Sequence, residues 1–189
     1  MPHRLLREQT RDAHDAAEAA PVMRHLLDGT LSRAGYAGLL AAQWVLFRDF
    51  ERDHAQWLAD TVARHGWTWR SRADLLARDV AELGGTLPTE AAVSSRHVVD
   101  ESASWGMLYV IEGSALGGQL IVRGLRQRFP DAAHRFYGVG DDQGSSWRCF
   151  QQILDDVLAE EPAQARAIRG ARHMFARFQT TFQDRISHA

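Results

Sequence analysis

The chain has 189 residues, 45% of them apolar and 24% charged, with a formal net charge of −2. That length supports one domain with a sizeable core, the composition excludes a disordered chain, and the charge balance offers nothing to nucleic acid. The single Cys149 excludes an internal disulfide, which fits a reducing cytoplasm, and every basic side chain is arginine.

The opening run MPHRLLREQTRDAHD is charged and lacks the apolar core of a signal peptide, so a cytoplasmic protein is expected. No segment alternates with period two, and no strand is predicted. A first helix runs from about Arg4 to Glu18 and stops before Pro21; a short one covers Val22–Leu27 and ends at Asp28-Gly29. Ser32 caps a long helix, Arg33–Arg64, closed by His65-Gly66. The next starts near Ser71 and runs through Leu83, with Gly84-Gly85 as its stop. Ser94 or Ser95 opens a central helix reaching Phe129. Pro130 and Asp131 begin a short helix to Tyr137, and Gly138–Ser146 is the most loop-like stretch. Ser146 caps a helix through Glu160, and Pro162 stands at the start of the last, which reaches about Ile186. The expectation is an all-α single domain over residues 1–189, with roughly seven to nine helices.

Within the central helix, Ser104–Gly124 (SWGMLYVIEGSALGGQLIVRG) carries Gly106, Gly113, Gly117, Gly118 and Gly124. Each glycine costs a helix about 1 kcal/mol relative to alanine, so something must offset several kcal/mol. At 3.6 residues per turn, Gly106, Gly113, Gly117 and Gly124 fall within about 20° of one line. One face is therefore bare backbone. Two partners suit it: a neighbouring helix in close contact, or a flat ligand such as a porphyrin. Ala103–Val122 has the length of a membrane span, but Glu112 and Gln119 inside it and the lack of a second such segment mark a core helix instead.

On the first helix, His14 and Glu18 are one turn apart on one face. A carboxylate there can accept the Nδ1–H of the imidazole and leave Nε2 free for a metal. Thr10 and Arg7 precede His14 by one and two turns on the same side. This arrangement suits a heme, with iron on the histidine and a propionate near the arginine, but taken alone it is more simply a solvated His–Glu pair.

T-x-x-x-H-x-x-x-E near the amino terminus and Y-x-x-E-G-S-x-L-G-G some 95 residues later together resemble the heme oxygenase family. Thr10, His14 and Glu18 match its proximal helix, and Tyr109–Gly118 (YVIEGSALGG) matches the glycine-rich distal helix of its bacterial branch. The length, the all-helical pattern and the late aromatics Phe175, Phe178 and Phe182 are also similar. The resemblance implies a multi-helix fold with heme sandwiched between a proximal helix and a kinked distal helix. It implies that b-type heme is both cofactor and substrate, opened to biliverdin with release of ferrous iron and CO. His14 would hold the iron, with Arg7, Thr10, Glu18, Tyr109, Gly113, Ser114, Gly117, Gly118, Arg172 and Phe175 around the heme. Arg148 and Arg177 are further candidates for the propionates. An external reductase or ferredoxin-type protein would supply electrons, and a bacterial phytochrome is a candidate recipient of biliverdin. In one respect the chain departs from many members: Ser114 stands where they carry an aspartate. A hydroxyl orients water but carries no charge, which leaves the proton relay unassigned.

The remaining histidines carry no site. Glu51-x-x-His54 and Asp131-x-x-His134 mimic a di-iron element, at the frequency chance allows. His3, His25, His65, His97, His173 and His188 read as solvated, and the tryptophans as packing residues. Besides the enzyme, a heme carrier, store or sensor of the same fold is compatible with the sequence, as is, more remotely, a fold relative acting on another small molecule.

Overall fold

The computed structural model describes residues 1–89, 99–140 and 144–183, and among these the chain is helical without a strand. The helices are α1 (Pro2–Gln9), α2 (Arg11–Glu18), α3 (Pro21–Leu27), α4 (Arg33–Asp53), α5 (Ala55–His65), α6 (Arg72–Glu82), α7 (Glu101–Arg128), α8 (Gly144–Val157) and α9 (Glu161–Gln183). A 3₁₀ turn at Tyr137–Gly140 follows α7. No helix of the described residues is long and apolar enough to cross a membrane.

Local chemistry sets most boundaries. The Ser32 and Ser71 side chains accept the amides of Gly35 and Asp74 at 3.0 and 3.1 Å, which satisfies otherwise orphaned donors. Gly66 closes α5 in the left-handed conformation at φ 62°, where a side chain would be strained. Asp100 caps α7 by accepting the Ala103 amide at 3.1 Å; the expected caps Ser94 and Ser95 lie outside the described residues.

Several expectations differ from the structure, among them the cap at Ser146, which lies inside α8. The first helix is broken at Thr10, whose hydroxyl donates to the Leu6 carbonyl at 2.7 Å and competes with the helix ladder. The expected Arg33–Arg64 helix is broken at His54, whose Nδ1 lies 2.9 Å from the Phe50 carbonyl and whose ring stacks on Phe50. Pro130–Tyr137 is not a helix, because His134 sits at φ 50°. Its buried ring is locked: Nε2 donates to the Phe129 carbonyl at 2.9 Å, so Nδ1 accepts from the Tyr36 hydroxyl at 3.0 Å. Nor is His3 solvated, since its ring bonds Asp155 of α8 at 2.7 Å and ties α1 to that helix. Residues 184–189, including the expected end of the last helix, lie outside the described residues.

The core gathers around α4, α7 and α9. Tyr36, Leu40, Phe47 and Phe50 of α4 are fully buried, with Phe47 between Phe136 and Phe178. Helix α8 runs back along α7, Trp147 beside Tyr109 and Phe150 beside Trp105. Helix α9 then turns and lies against α7, with no room for a Cβ at Gly106 or at Gly170: one would overlap the Ala167 carbonyl, the other the Ala103 carbonyl. Small residues at both positions allow this approach. Trp67 and Trp105 are packing residues, as expected.

Candidate active site

The site is built from α1 and α2 on one side, the middle of α7 on the other, and α8 and α9 at its edges. Leu6 and Ala17 turn inward and leave His14 half exposed, its imidazole edge-on to Phe175 of α9 with centroids 6.0 Å apart. His14 Nε2 lies 3.5 Å from Glu18 Oε1, and Nδ1 lies 3.3 Å from Asp15 Oδ1. This reverses the expected arrangement, in which Glu18 takes Nδ1–H. The tip nitrogen reaches a carboxylate one turn away, whereas Nδ1, next to the backbone, meets the adjacent residue. Rotation about χ2 is soft for imidazoles and exchanges the two.

On α7, Tyr109, Gly113 and Gly117 follow at four-residue steps along one face. Burial pushes the Tyr109 phenol up, and the Arg7 guanidinium of α1 acts in the opposite sense. The Trp147 ring lies beside Tyr109, centroids 5.8 Å apart, and its edge would be 3.5 Å from a Cβ on Gly113. At Gly117 nothing among the described residues lies within 4 Å of that position. The exposed Leu120 continues the same open face. Gly118 lies on another side of α7, where a Cβ would meet the Tyr137 carbonyl at 3.0 Å, so its role here is packing. The Ser114 hydroxyl donates to the Ile111 carbonyl at 2.7 Å, which leaves its lone pairs to accept from water.

Other candidates have different partners. Thr10 is buried and forms the helix break. Arg172 donates to the Gln9 carbonyl at 3.0 Å instead of projecting toward a ligand, because the helix break leaves that carbonyl within its reach. Arg177 lies against α4, near the Leu46 carbonyl and Asp49. Arg148 is on the exposed side of α8. Arg7 is an arginine whose charge acts on Tyr109. Cavities of about 620 and 500 Å³ lie elsewhere, at the start of α4 and between α4 and α9; Arg177 lines the second, and Arg7, His14, Tyr109, Gly113 and Gly117 line neither. Among the described residues the site is an open face. Among the described residues no cluster of three metal-ligating side chains occurs, so His14 would be a lone protein ligand.

Sequence reasoning passed over Glu112. It is buried directly before Gly113, and Arg72 Nη2 donates to it at 2.8 Å, with 3% and 5% of the two side chains exposed. Burial pushes the Glu112 carboxyl up, and Arg72 offsets part of that. A lone acid in an apolar helix was the available signal. Glu51 accepts the Arg72 amide and the Ser71 hydroxyl, each at 2.6 Å, and so fixes the start of α6 that carries Arg72.

A planar ligand fits this arrangement: bare backbone at Gly117 where a side chain would intrude, an exposed imidazole, and a cation near Tyr109. The heme oxygenase family model matches residues 3–184. A heme oxygenase of Xanthomonas campestris is 40% identical over 161 residues, which cover 84% of this chain and 95% of that one. The structure of heme oxygenase from Leptospira interrogans superposes with a TM-score of 0.81 at 19% identity, covering 97% of this chain and 98% of that one. That of heme oxygenase-1 from Synechocystis in complex with heme gives 0.76 at 18%, covering 97% and 91%. The chain belongs to the heme oxygenase family.

Proposed function

We propose that this protein is a heme oxygenase, opening heme to biliverdin with release of ferrous iron and CO, using O₂ and electrons from an external donor. Family membership supports the activity. The observation that carries the site is the contrast along α7: the glycine face is filled by α9 at Gly106 and bare at Gly117. Bound as b-type heme, the substrate is also the cofactor, and its iron supplies the oxygen chemistry.

The chain's own residues bind and orient. His14 presents a nitrogen to the iron once its ring turns from Glu18, and Glu18 or Asp15 then accepts the other N–H and raises the basicity of the ligand. Arg7 pairs with a propionate, which fixes rotation in the heme plane. Tyr109, Trp147 and Phe175 wall the edges, while Gly113 and Gly117 let the ring approach backbone. Ser114 accepts a hydrogen bond from water, so it orders solvent without supplying the proton. A reductase or ferredoxin-type protein would supply the electrons, the reaction would serve either iron acquisition or biliverdin supply to a bacterial phytochrome, and the single domain would work in the cytoplasm.

The test is anaerobic addition of heme, then reductant and air, with products separated by chromatography. Biliverdin and free iron are expected. Heme bound and recovered unchanged would make the protein a carrier.

A further inference from the structure

Helix α2 has eight residues and buries Ala17 as its inward anchor. A helix that short is marginal alone, and an alanine contact is too smooth to fix its height or rotation. Polar groups on α9 supply what packing does not. Arg172 Nε and Nη2 donate to the Gln9 carbonyl at 3.1 and 3.0 Å, and Nη2 also reaches Gln9 Oε1 at 3.2 Å. Gln179 Nε2 donates to the Ala13 carbonyl at 3.1 Å. The peptide plane holding the Ala13 carbonyl also holds the His14 nitrogen, so this bond ties His14 to α9 through one rigid unit. Phe175 stands between the two donors in sequence, its ring at 79° to the imidazole. Steps of three and four residues put Arg172, Phe175 and Gln179 on one face of α9.

We propose that these three residues form a cradle that sets the height and ring angle of His14, with Gln179 as the principal positioning residue. Arg172 holds the last residue of α1 just before the break at Thr10, Gln179 holds α2 after it, and the His3–Asp155 bond ties the start of α1 to α8. The proposal rests on His14 being the iron ligand. Gln179 then acts through His14 and touches no reacting atom.

The test compares Gln179→Met, which keeps the size and loses the donor, with Gln179→Lys, which keeps a donor of similar reach. In the heme-free protein, amide exchange at Ala17 and Glu18 should accelerate roughly tenfold in Gln179→Met, with no change at Met174, and return near wild type in Gln179→Lys. With ferric heme added, the wild type and Gln179→Lys should each give one set of electron paramagnetic resonance g-values, and Gln179→Met a second, shifted set. Unchanged α2 exchange in Gln179→Met, or equal acceleration at Met174, overturns the cradle. A wild-type heme spectrum in His14→Ala overturns the ligand assignment instead, and is told apart because it leaves the exchange result standing.

Discussion

Gly106 and Ala167 meet backbone to backbone where α7 lies against α9, and Gly170 meets Ala103 in the same way. About three turns further along α7, Gly117 has nothing among the described residues within 4 Å of a Cβ position. The stripe is therefore a packing seam at one end and an open face at the other. Gly106→Ala should destabilise the heme-free protein by about 1–3 kcal/mol through overpacking. Gly117→Leu should leave heme-free melting near wild type, since helix propensity favours leucine, yet block heme binding or ring opening. Thermal melts with and without heme, beside product analysis, check both. Comparable heme-free losses in the two variants would return Gly117 to the seam.

His14 is half exposed, so His14→Ala should change heme-free stability by no more than about 0.5 kcal/mol. It should abolish the imidazole-ligated heme spectrum, and added imidazole should restore it. Glu18→Ala should keep heme but lower the iron–nitrogen stretching frequency, with affinity or activity falling about 10–100-fold. An unmoved frequency would reduce Glu18 to a surface contact.

Arg72 and Glu112 form a buried pair behind Gly113. Arg72→Met strands a buried carboxylate and should cost about 3–5 kcal/mol in denaturant unfolding. Arg72→Met combined with Glu112→Leu should recover most of that loss. Simply additive losses would show that the two side chains are not coupled.

Glu82 bonds Arg135 and the Ala133 amide, which hold its carboxyl below the ordinary value of 4.5. The group is depressed in the folded state, so its contribution is present above the unfolded value and lost as pH falls through the folded one. Between about pH 5 and 3 the wild-type melting temperature should therefore fall more steeply than that of Glu82→Gln. Burial of Glu112 acts in the opposite sense, and comparing the two proteins at each pH cancels it. Parallel curves would mean that Glu82 contributes nothing to acid stability.

The sequence by itself determined what depends on neighbours within a turn or two. Ser32 and Ser71 cap because their hydroxyls reach amides three residues on, and Gly66 ends α5 because it tolerates positive φ. His14 and Glu18 share a face, and the glycines line up, because the helix repeat is fixed. Those regularities sufficed to reveal an all-helical chain with a glycine-lined helix face and a histidine paired with a glutamate on one face of another helix. Only the tertiary structure decided which glycine meets a helix, that Arg172 holds the Gln9 carbonyl, that Glu112 pairs with Arg72, and that Thr10, His54 and His134 interrupt helical patterns. Most of these outcomes are set by groups far apart in the chain, and no local period encodes such pairings. Even the breaks at Thr10 and His54, whose side chains bond carbonyls four residues back, leave the apolar pattern intact. Whether the backbone yields there depends on what the surrounding helices bury against it.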